Sequence, residues 1–367
     1  MFLFCIILIY ILLLSRFTYN QKIINCDKSF KDNIFLTLSM GPLIALNCLR
    51  GEYVGNDTFS YKNLFSYYSG QGILVQMSDA GIWWMDEYID FGYKWTNILF
   101  SRISSNYQLF ISFIAFFLYI STIYFIKSES NNIVISTILF YLLFYHFYIN
   151  ILRQSIAIAI LLLGYKQLKE KNYVKYILFI FVAFLFHKTA IVAVLFIPLM
   201  KNKSISFCHS LIIVFGVTFA TAMGLFRKIV LFAGYSGHYL SQEGGLTTYA
   251  QILLSLIILY VIINLKKNIK NEEKNQTFIN LICRIPIVQL CLSIASLNIP
   301  ELSRFSNYFS IFYLVGVPYL IPQKEKRTNN CTFLVFLLIL SIFAYDTGIL
   351  MLRPEWYSEF DYKFYWQ

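Results

Sequence analysis

Long apolar runs separated by short polar segments dominate the pattern of the sequence. About twelve of these runs are close to the length that crosses a bilayer, some of them with local thinning or tilt. Ten are bounded as residues 2–14, 34–49, 107–126, 133–149, 174–186, 189–200, 205–223, 249–265, 277–297 and 332–345, and two begin at ILRQSIAIAI and RFSNYF. The pattern predicts an all-α polytopic membrane protein, organised as one transmembrane domain over residues 1–367.

Short clusters of Lys and Arg follow alternate runs and predict the topology. Basic residues are enriched in cytoplasmic loops, so these clusters mark the inner face. The run 2–14 has no basic residue before it and no small-residue cleavage site after it, which predicts a retained anchor rather than a signal peptide. Both termini are then exterior, as are the loops 50–95 and 226–248 and the tail 346–367.

The segment 174–200 allows two topologies, because His187 and Lys188 interrupt its apolar residues. A single helix would carry a buried charge, whereas two short spans would turn at the outer face. A single helix would also move every later basic cluster to the exterior, against the usual bias. We therefore predict two spans, with His187 outside.

Composition narrows the class of protein further. Hydrophobic residues make up 58% of the chain and charged residues only 13%, which is typical of a protein in lipid. The net charge of +11 reflects the loop clusters rather than a basic surface, so a nucleic-acid partner is rejected. The seven cysteines show no CxxC spacing and are predicted to be small core residues.

The segment RGEYVGNDTFSY, residues 50–61, combines an arginine, acids, glycines and tyrosines where an apolar run ends. The fork of Arg50 suits a phosphate, and the carboxylate of Asp57 suits a sugar hydroxyl. Tyr61 closes the segment and is a candidate substrate contact. An alternative stays open, in which Arg50 only extends towards lipid headgroups beside an ordinary turn.

Further polar residues are predicted at the outer ends of other spans. They are Arg153, Gln154, His187, Glu301 and Arg304. Glu301 and Arg304 are three residues apart and share a helix face, so they can pair. His187 can act as a base near neutral pH or can be a hydrogen-bonded interfacial side chain. Arg284 lies inside an apolar run and should face a partner or a wet cavity.

The sequence lacks the motifs of several enzyme classes. It contains no HExxH motif and no acidic triplet, so no metal site is predicted. It also contains no GxSxG elbow and no Walker loop, which argues against a serine hydrolase and an ATP-driven pump. Several arginines can instead neutralise a pyrophosphate that leaves on a lipid carrier.

The order of several short motifs resembles the EpsG family of Wzy-type polysaccharide polymerases. The motifs are RGEYVGNDTFSY, DFGY, LRQSIAIAI, FLFHKTAI and RFSNYF. Asp90 stands where that family would have glutamate, and a long loop around Trp83 is inserted. The resemblance implies a GT-C-like polymerase or ligase architecture in the bacterial cytoplasmic membrane. The implied product is a capsule, exopolysaccharide or O-antigen chain.

The resemblance also implies substrates and partners. The donor and acceptor would be oligosaccharide repeat units on undecaprenyl pyrophosphate, held in membrane lipid, and neither ATP nor a nucleotide cofactor is expected. A chain-length regulator and a flippase of the same pathway are the further partners. The alternatives are a flippase or other transporter of lipid-linked sugars, and a membrane O-acyltransferase that uses His187.

The predicted mechanism is a single inverting displacement. Arg153 and Arg304 hold the phosphates, with Arg50, Arg284, Tyr61 and Gln154 as further candidate contacts. His187 is predicted to be the base. Asp57 is predicted to orient the sugar, and it is the second candidate for the base. Glu301 is predicted to orient Arg304.

Overall fold

The computed structural model describes most of the chain. The described residues are 2–20, 26–70, 90–200, 207–226, 228, 245–267, 276–322, 329–352 and 362–367. Within these ranges the chain is α-helical, and its β-structure is an isolated antiparallel bridge between Arg50 and Phe364. The predicted all-α class is therefore confirmed for the described residues, while the predicted loop 226–248 and the Trp83 insertion lie mostly or wholly outside them.

Fifteen α-helices are described. They are α1 Phe2–Thr18, α2 Lys28–Leu49, α3 Thr58–Gly70, α4 Phe91–Ser101, α5 Tyr107–Glu129, α6 Ile133–Asn150, α7 Leu152–Lys169, α8 Tyr173–Phe186, α9 Phe196–Leu199, α10 Phe207–Ala222, α11 Leu246–Lys267, α12 Gln276–Ala295, α13 Ser303–Ser310, α14 Tyr313–Leu320 and α15 Asn329–Leu352. Two 3₁₀ helices, Lys188–Leu195 and Pro300–Leu302, join α8 to α9 and precede α13.

Six of the described helices are long and apolar enough to cross a membrane. They are α2, α5, α6, α11, α12 and, over Asn329–Ile349, α15. Shorter apolar helices lie within α1, α8, α10 and the segment Lys188–Leu199. Several spans are therefore confirmed as helices, whereas the count of twelve stays a prediction.

Three predicted boundaries differ from the structure. The span predicted at 189–200 is mainly the 3₁₀ helix Lys188–Leu195 followed by the short α9. Such a long 3₁₀ run is uncommon because its hydrogen bonds are poorer than those of an α-helix. The predicted exterior loop 50–95 contains α3 and the start of α4. The last helix extends to Leu352, beyond the predicted end at Tyr345.

The helices group into two compact units. The first comprises residues 1–129, 140–191 and 350–367, and the second comprises residues 130–139 and 192–349, as far as they are described. Helix α6 contributes to both units.

Small residues allow helices of the first unit to approach closely. A Cβ atom on Gly164 of α7 would come within 2.7 Å of the Phe179 side chain of α8. A Cβ atom on Gly92 of α4 would come within 2.9 Å of Phe186 and 3.0 Å of the Leu185 backbone. Both positions therefore need glycine, and Gly92 sets how near the start of α4 lies to the end of α8.

A C-terminal strap, residues 362–367, pairs with the end of α2. The Tyr365 amide donates to the Leu49 carbonyl (3.0 Å), and the Gly51 amide donates to the Lys363 carbonyl (2.8 Å). A Cβ atom on Gly51 would lie 3.1 Å from that carbonyl oxygen, so a glycine suits this close backbone approach. The strap thereby covers the backbone around Arg50.

The second unit packs around α12. Gln289 of this helix donates to the Ser306 carbonyl (3.0 Å) and to the Ser310 hydroxyl (2.8 Å), and it accepts from the Tyr313 hydroxyl. Gly316 of α14 lies against Ile282, where a Cβ atom would approach to 2.7 Å. These contacts hold the interrupted helices α13 and α14 against α12.

Candidate functional site

Three helix ends of the first unit meet at one polar cluster. Asp90 is the N-cap residue of α4, Arg153 is the second residue of α7, and His187 is the C-cap residue of α8. The backbone of His187 is extended (φ −159°, ψ 116°), so α8 ends there before the 3₁₀ helix begins. We refer to Asp90, Arg153 and His187 as the acid–imidazole cluster.

One carboxylate oxygen joins the three side chains. Arg153 donates from Nη1 to Oδ2 of Asp90 at 2.9 Å, and Nδ1 of His187 lies 3.4 Å from the same oxygen. The first distance is typical of a charge-assisted hydrogen bond, and the second is a long contact. A carboxylate at Nδ1 favours the tautomer with its proton on that nitrogen, which leaves Nε2 as the basic atom.

The cluster is shielded from solvent. The exposed fractions of the side chains are 6% for Asp90, 15% for His187 and 28% for Arg153. Nε2 of His187 is buried and has no hydrogen-bond partner among the described residues. An imidazole with an unpaired acceptor atom is therefore held by its other ring nitrogen, as a general base is.

Helix dipoles support this distribution of charge. The N-terminus of α4 favours the negative carboxylate of Asp90, and the C-terminus of α8 favours a positive imidazolium on His187. His187 therefore lies between the carboxylate of Asp90 and the carbonyl end of α8.

Tyr61 extends the cluster from helix α3. Its side chain is buried and interacts with the guanidinium of Arg153, and its charged neighbours also include Asp57. Burial raises the pKa of Tyr61 above its ordinary value, so the phenol stays neutral and can donate a hydrogen bond at physiological pH. The predicted residues Asp57, Tyr61, Arg153 and His187 therefore lie in one region, together with Asp90.

The loop that carries Asp57 is anchored against α6. The Asn56 amide donates to the Asn150 side chain at 2.8 Å. Gly55 has a φ of +94°, and a Cβ atom there would come within 2.9 Å of Ile149. Asp57 itself is exposed at the start of α3, where its carbonyl accepts from the Tyr61 amide (2.9 Å). The sequence RGEYVGND thus fixes an exposed carboxylate near the cluster.

Arg50 is buried in the structure, which opposes the alternative in which it extends towards lipid headgroups. Its side chain is only 1% exposed, so it does not extend towards lipid headgroups. Nη1 donates to the Asn47 carbonyl (3.0 Å) and to the Asn47 side chain. Nε and Nη2 have no hydrogen-bond partner among the described residues. Arg50 is therefore a buried cation beneath the C-terminal strap.

Of the remaining candidate residues, one belongs to the first unit and three belong to the second. Gln154 is completely buried in the first unit. In the second unit, Arg284 donates to the Leu199 carbonyl at 2.6 Å, so this intramembrane arginine does face a partner. Nε of Arg304 lies 3.5 Å from Oε2 of Glu301, the pairing that their spacing predicts. Both members of that pair are substantially exposed, at 55% and 38%.

Comparison with known protein families assigns the chain to one of them. The EpsG family model matches residues 33–364. The chain belongs to the EpsG family. No curated protein and no solved structure matches it.

Membership of the EpsG family confirms the predicted resemblance. The family comprises Wzy-type polysaccharide polymerases, and the six apolar helices agree with a multi-pass membrane protein. The match begins within α2 and continues into the C-terminal strap, so it includes the whole acid–imidazole cluster. This EpsG-family chain is therefore assigned to polysaccharide polymerisation in general.

Asp90 was the residue that the sequence did not assign to the site. The sequence feature that indicated this residue was the motif DFGY, in which an acid at the N-cap position directly precedes an apolar helix. The motif showed that an acid was present, but it could not show that α4 and α8 bring this acid to His187.

Proposed function

We propose that the protein joins oligosaccharide repeat units carried on undecaprenyl pyrophosphate, at the outer face of a bacterial cytoplasmic membrane. The observation that supports this best is the unpaired Nε2 of His187, whose Nδ1 lies beside the carboxylate of Asp90, in a chain of the EpsG family. The polymerase family implies a lipid-linked oligosaccharide substrate. The acid–imidazole cluster supplies a base for a sugar hydroxyl.

The reaction is a single displacement at the anomeric carbon of the donor. The acceptor hydroxyl forms the new C–O bond and gives its proton to Nε2 of His187. The bond between the anomeric carbon and the lipid diphosphate breaks, and the diphosphate leaves with the electron pair. One displacement inverts the anomeric configuration and requires no covalent enzyme intermediate.

Asp90 holds His187 and stabilises the imidazolium that forms. Its carboxylate accepts from Nδ1 of His187 and carries the compensating negative charge, while the end of α8 adds a favourable dipole. Asp90 is thus proposed as a positioning residue rather than as the base. Asp57, which is exposed on its anchored loop, is proposed to orient the acceptor sugar.

Arginines are proposed to stabilise the leaving diphosphate. Arg153 is the candidate next to the acid–imidazole cluster, although Asp90 already neutralises part of its charge. Arg50 has buried donors without a partner, which suits a second anion contact. Arg284 and Arg304, which the sequence predicts to contact the phosphates, are proposed for the same role. Tyr61 and Gln154 are proposed neighbours of the bound substrate.

Glycan analysis of a deletion strain tests the function. Loss of a polymerase should leave single repeat units on the lipid at the outer face. Loss of a flippase would leave those units inside the cell, and loss of an O-acyltransferase would leave full-length polymer without esters. Either of the last two results would overturn the proposal.

The purified protein tests the role of His187. His187→Ala supplied with lipid-linked repeat units should bind donor normally and should elongate about 10²–10⁴-fold more slowly, the usual contribution of a general base. A lysine neighbour, Lys188→Ala, is the matched control and should keep its activity. Near-normal elongation by His187→Ala would transfer the role of base to Asp57.

A further inference from the structure

An apolar groove in the first unit lies directly beside the acid–imidazole cluster. It has a volume of about 450 Å³ and is bounded by α4, α5, α7 and α8. Its side chains include Leu99, Ile103, Phe113, Ile156, Ile160 and Phe186. The volume falls within the range of binding pockets for small molecules, about 300–1,000 Å³.

The groove has a closed floor and an open side. Ile156 and Ile160 on α7 are 4% and 7% exposed and form the floor. Leu99, Ile103 and Phe113 at the rim are 57%, 81% and 54% exposed. Helix α5 is one of the apolar candidate spans, so hydrocarbon rather than water would lie against this open side. A ligand can therefore enter the groove sideways from lipid.

The chemistry of the lining selects a hydrocarbon. The groove is lined by apolar and aromatic side chains together with Thr96. The Thr96 hydroxyl already donates to the Gly92 carbonyl of its own helix (2.8 Å). A polar ligand would lose its hydrogen bonds to water without replacement, whereas an apolar chain would gain burial.

Continuity with the cluster identifies which hydrocarbon the groove fits. Three helices that bound the groove, α4, α7 and α8, carry Asp90, Arg153 and His187 at one end. Phe186, in the wall, directly precedes His187. A substrate with its reacting bond at His187 would have its lipid portion start beside Phe186.

We infer that this groove binds the part of the polyisoprenoid chain closest to the diphosphate of the lipid-linked substrate. The inference depends on the proposed function, which requires a molecule with a sugar diphosphate head and a long apolar tail. From Thr96 to Ile103 the groove follows the second half of α4 and the turn after it for about 10 Å, so it holds only the first portion of the chain. The remainder of the chain stays in the bilayer.

Photolabelling of the full-length protein in lipid nanodiscs tests the groove directly. A diazirine-bearing polyprenyl phosphate should label peptides that contain Leu99, Ile103 or Phe113. Unlabelled polyprenyl phosphate should compete, whereas equal amounts of phosphatidylglycerol should not. Equal competition by phosphatidylglycerol, or equal labelling around Ile120, would show that the groove holds ordinary bilayer lipid and would overturn the inference.

Filling the groove gives a second, independent measurement. Ile103→Trp places a large side chain at the rim and should raise the KM for the long-chain donor about tenfold, by displacing a few buried methylene groups. A donor analogue with a tail too short to reach Ile103 should show no such rise. Ile120→Trp is the matched control, because Ile120 is 59% exposed on α5 but does not line the groove.

These measurements separate failure of the groove from failure of the proposed function. Specific labelling without any polymer formation would support the groove and reject the polymerase mechanism. Polymer formation without labelling, with the same KM for Ile103→Trp and wild type, would support the polymerase and reject the groove.

Discussion

Two acid–arginine pairs, one in each unit, differ in what surrounds them. Asp90 and Arg153 come from different helices, are largely buried, and share their carboxylate with His187. Glu301 and Arg304 are three residues apart and are exposed at 38% and 55%. A buried charge that loses its partner is left uncompensated, whereas an exposed pair is solvated in either state. We therefore expect a large effect from removing the charge of Asp90 and only a modest effect from removing that of Glu301.

The largest expected effect is at Asp90. Asp90→Asn keeps the size of the side chain but removes the charge that stabilises an imidazolium on His187. Elongation by the purified enzyme should fall about 10²–10⁴-fold, mainly in kcat, because donor binding does not depend on proton transfer. Asp90→Glu should recover part of the activity, whereas a purely structural role would give the same loss in both variants at equal protein level.

A smaller loss is expected at Arg153. Its guanidinium contacts both the Asp90 carboxylate and the Tyr61 phenol, and a lysine ammonium cannot reproduce that planar arrangement. Arg153→Lys should lose about 10–100-fold in kcat/KM, equivalent to one or two charge-assisted hydrogen bonds. Normal polymer from both Arg153→Lys and Arg153→Ala, at equal protein levels, would remove Arg153 from the site.

The spacing between α4 and α8 can be changed without altering any charged group. Gly92→Ala should push α4 away from Phe186 and lengthen the contact between Asp90 and His187. We expect the free energy of unfolding to fall by about 1–3 kcal/mol and the elongation rate to fall about tenfold. Gly41→Ala is the matched control, since the added methyl group would meet no atom within 4 Å apart from its chain neighbours and the backbone of its own helix. Equal activities in the two variants would show that the spacing is unimportant.

The smallest effect is expected at the exposed pair. Glu301→Gln should change the free energy of unfolding by no more than about 1 kcal/mol, as is usual for exposed ion pairs. Its polymer yield should stay within about threefold of wild type. Chain-length profiles of the glycan would measure this, and a loss as large as that of Asp90→Asn would make Glu301 part of the reaction.

Sequence reasoning succeeded where the signal was local. Apolar runs predicted helices such as α5 and α6 to within a few residues, and an i,i+3 spacing predicted the contact between Glu301 and Arg304. Sequence reasoning did not predict contacts between segments that are distant in the chain. The burial of Arg50 depends on a strap over 300 residues later, and the position of Asp90 depends on how Gly92 packs on α8.

The C-terminal strap has a consequence for how the protein is made. The bridge between Arg50 and Phe364 joins an early helix to residues that leave the ribosome only after every intervening helix has been synthesised. Until then the backbone at Leu49 and Gly51 lacks its partners, and the Arg50 side chain lacks part of its cover. Such a long-range closure is a late step in assembly, because distant pairings form slowly. A nascent chain therefore carries an incompletely covered arginine at the end of α2 until its C-terminal residues have been synthesised.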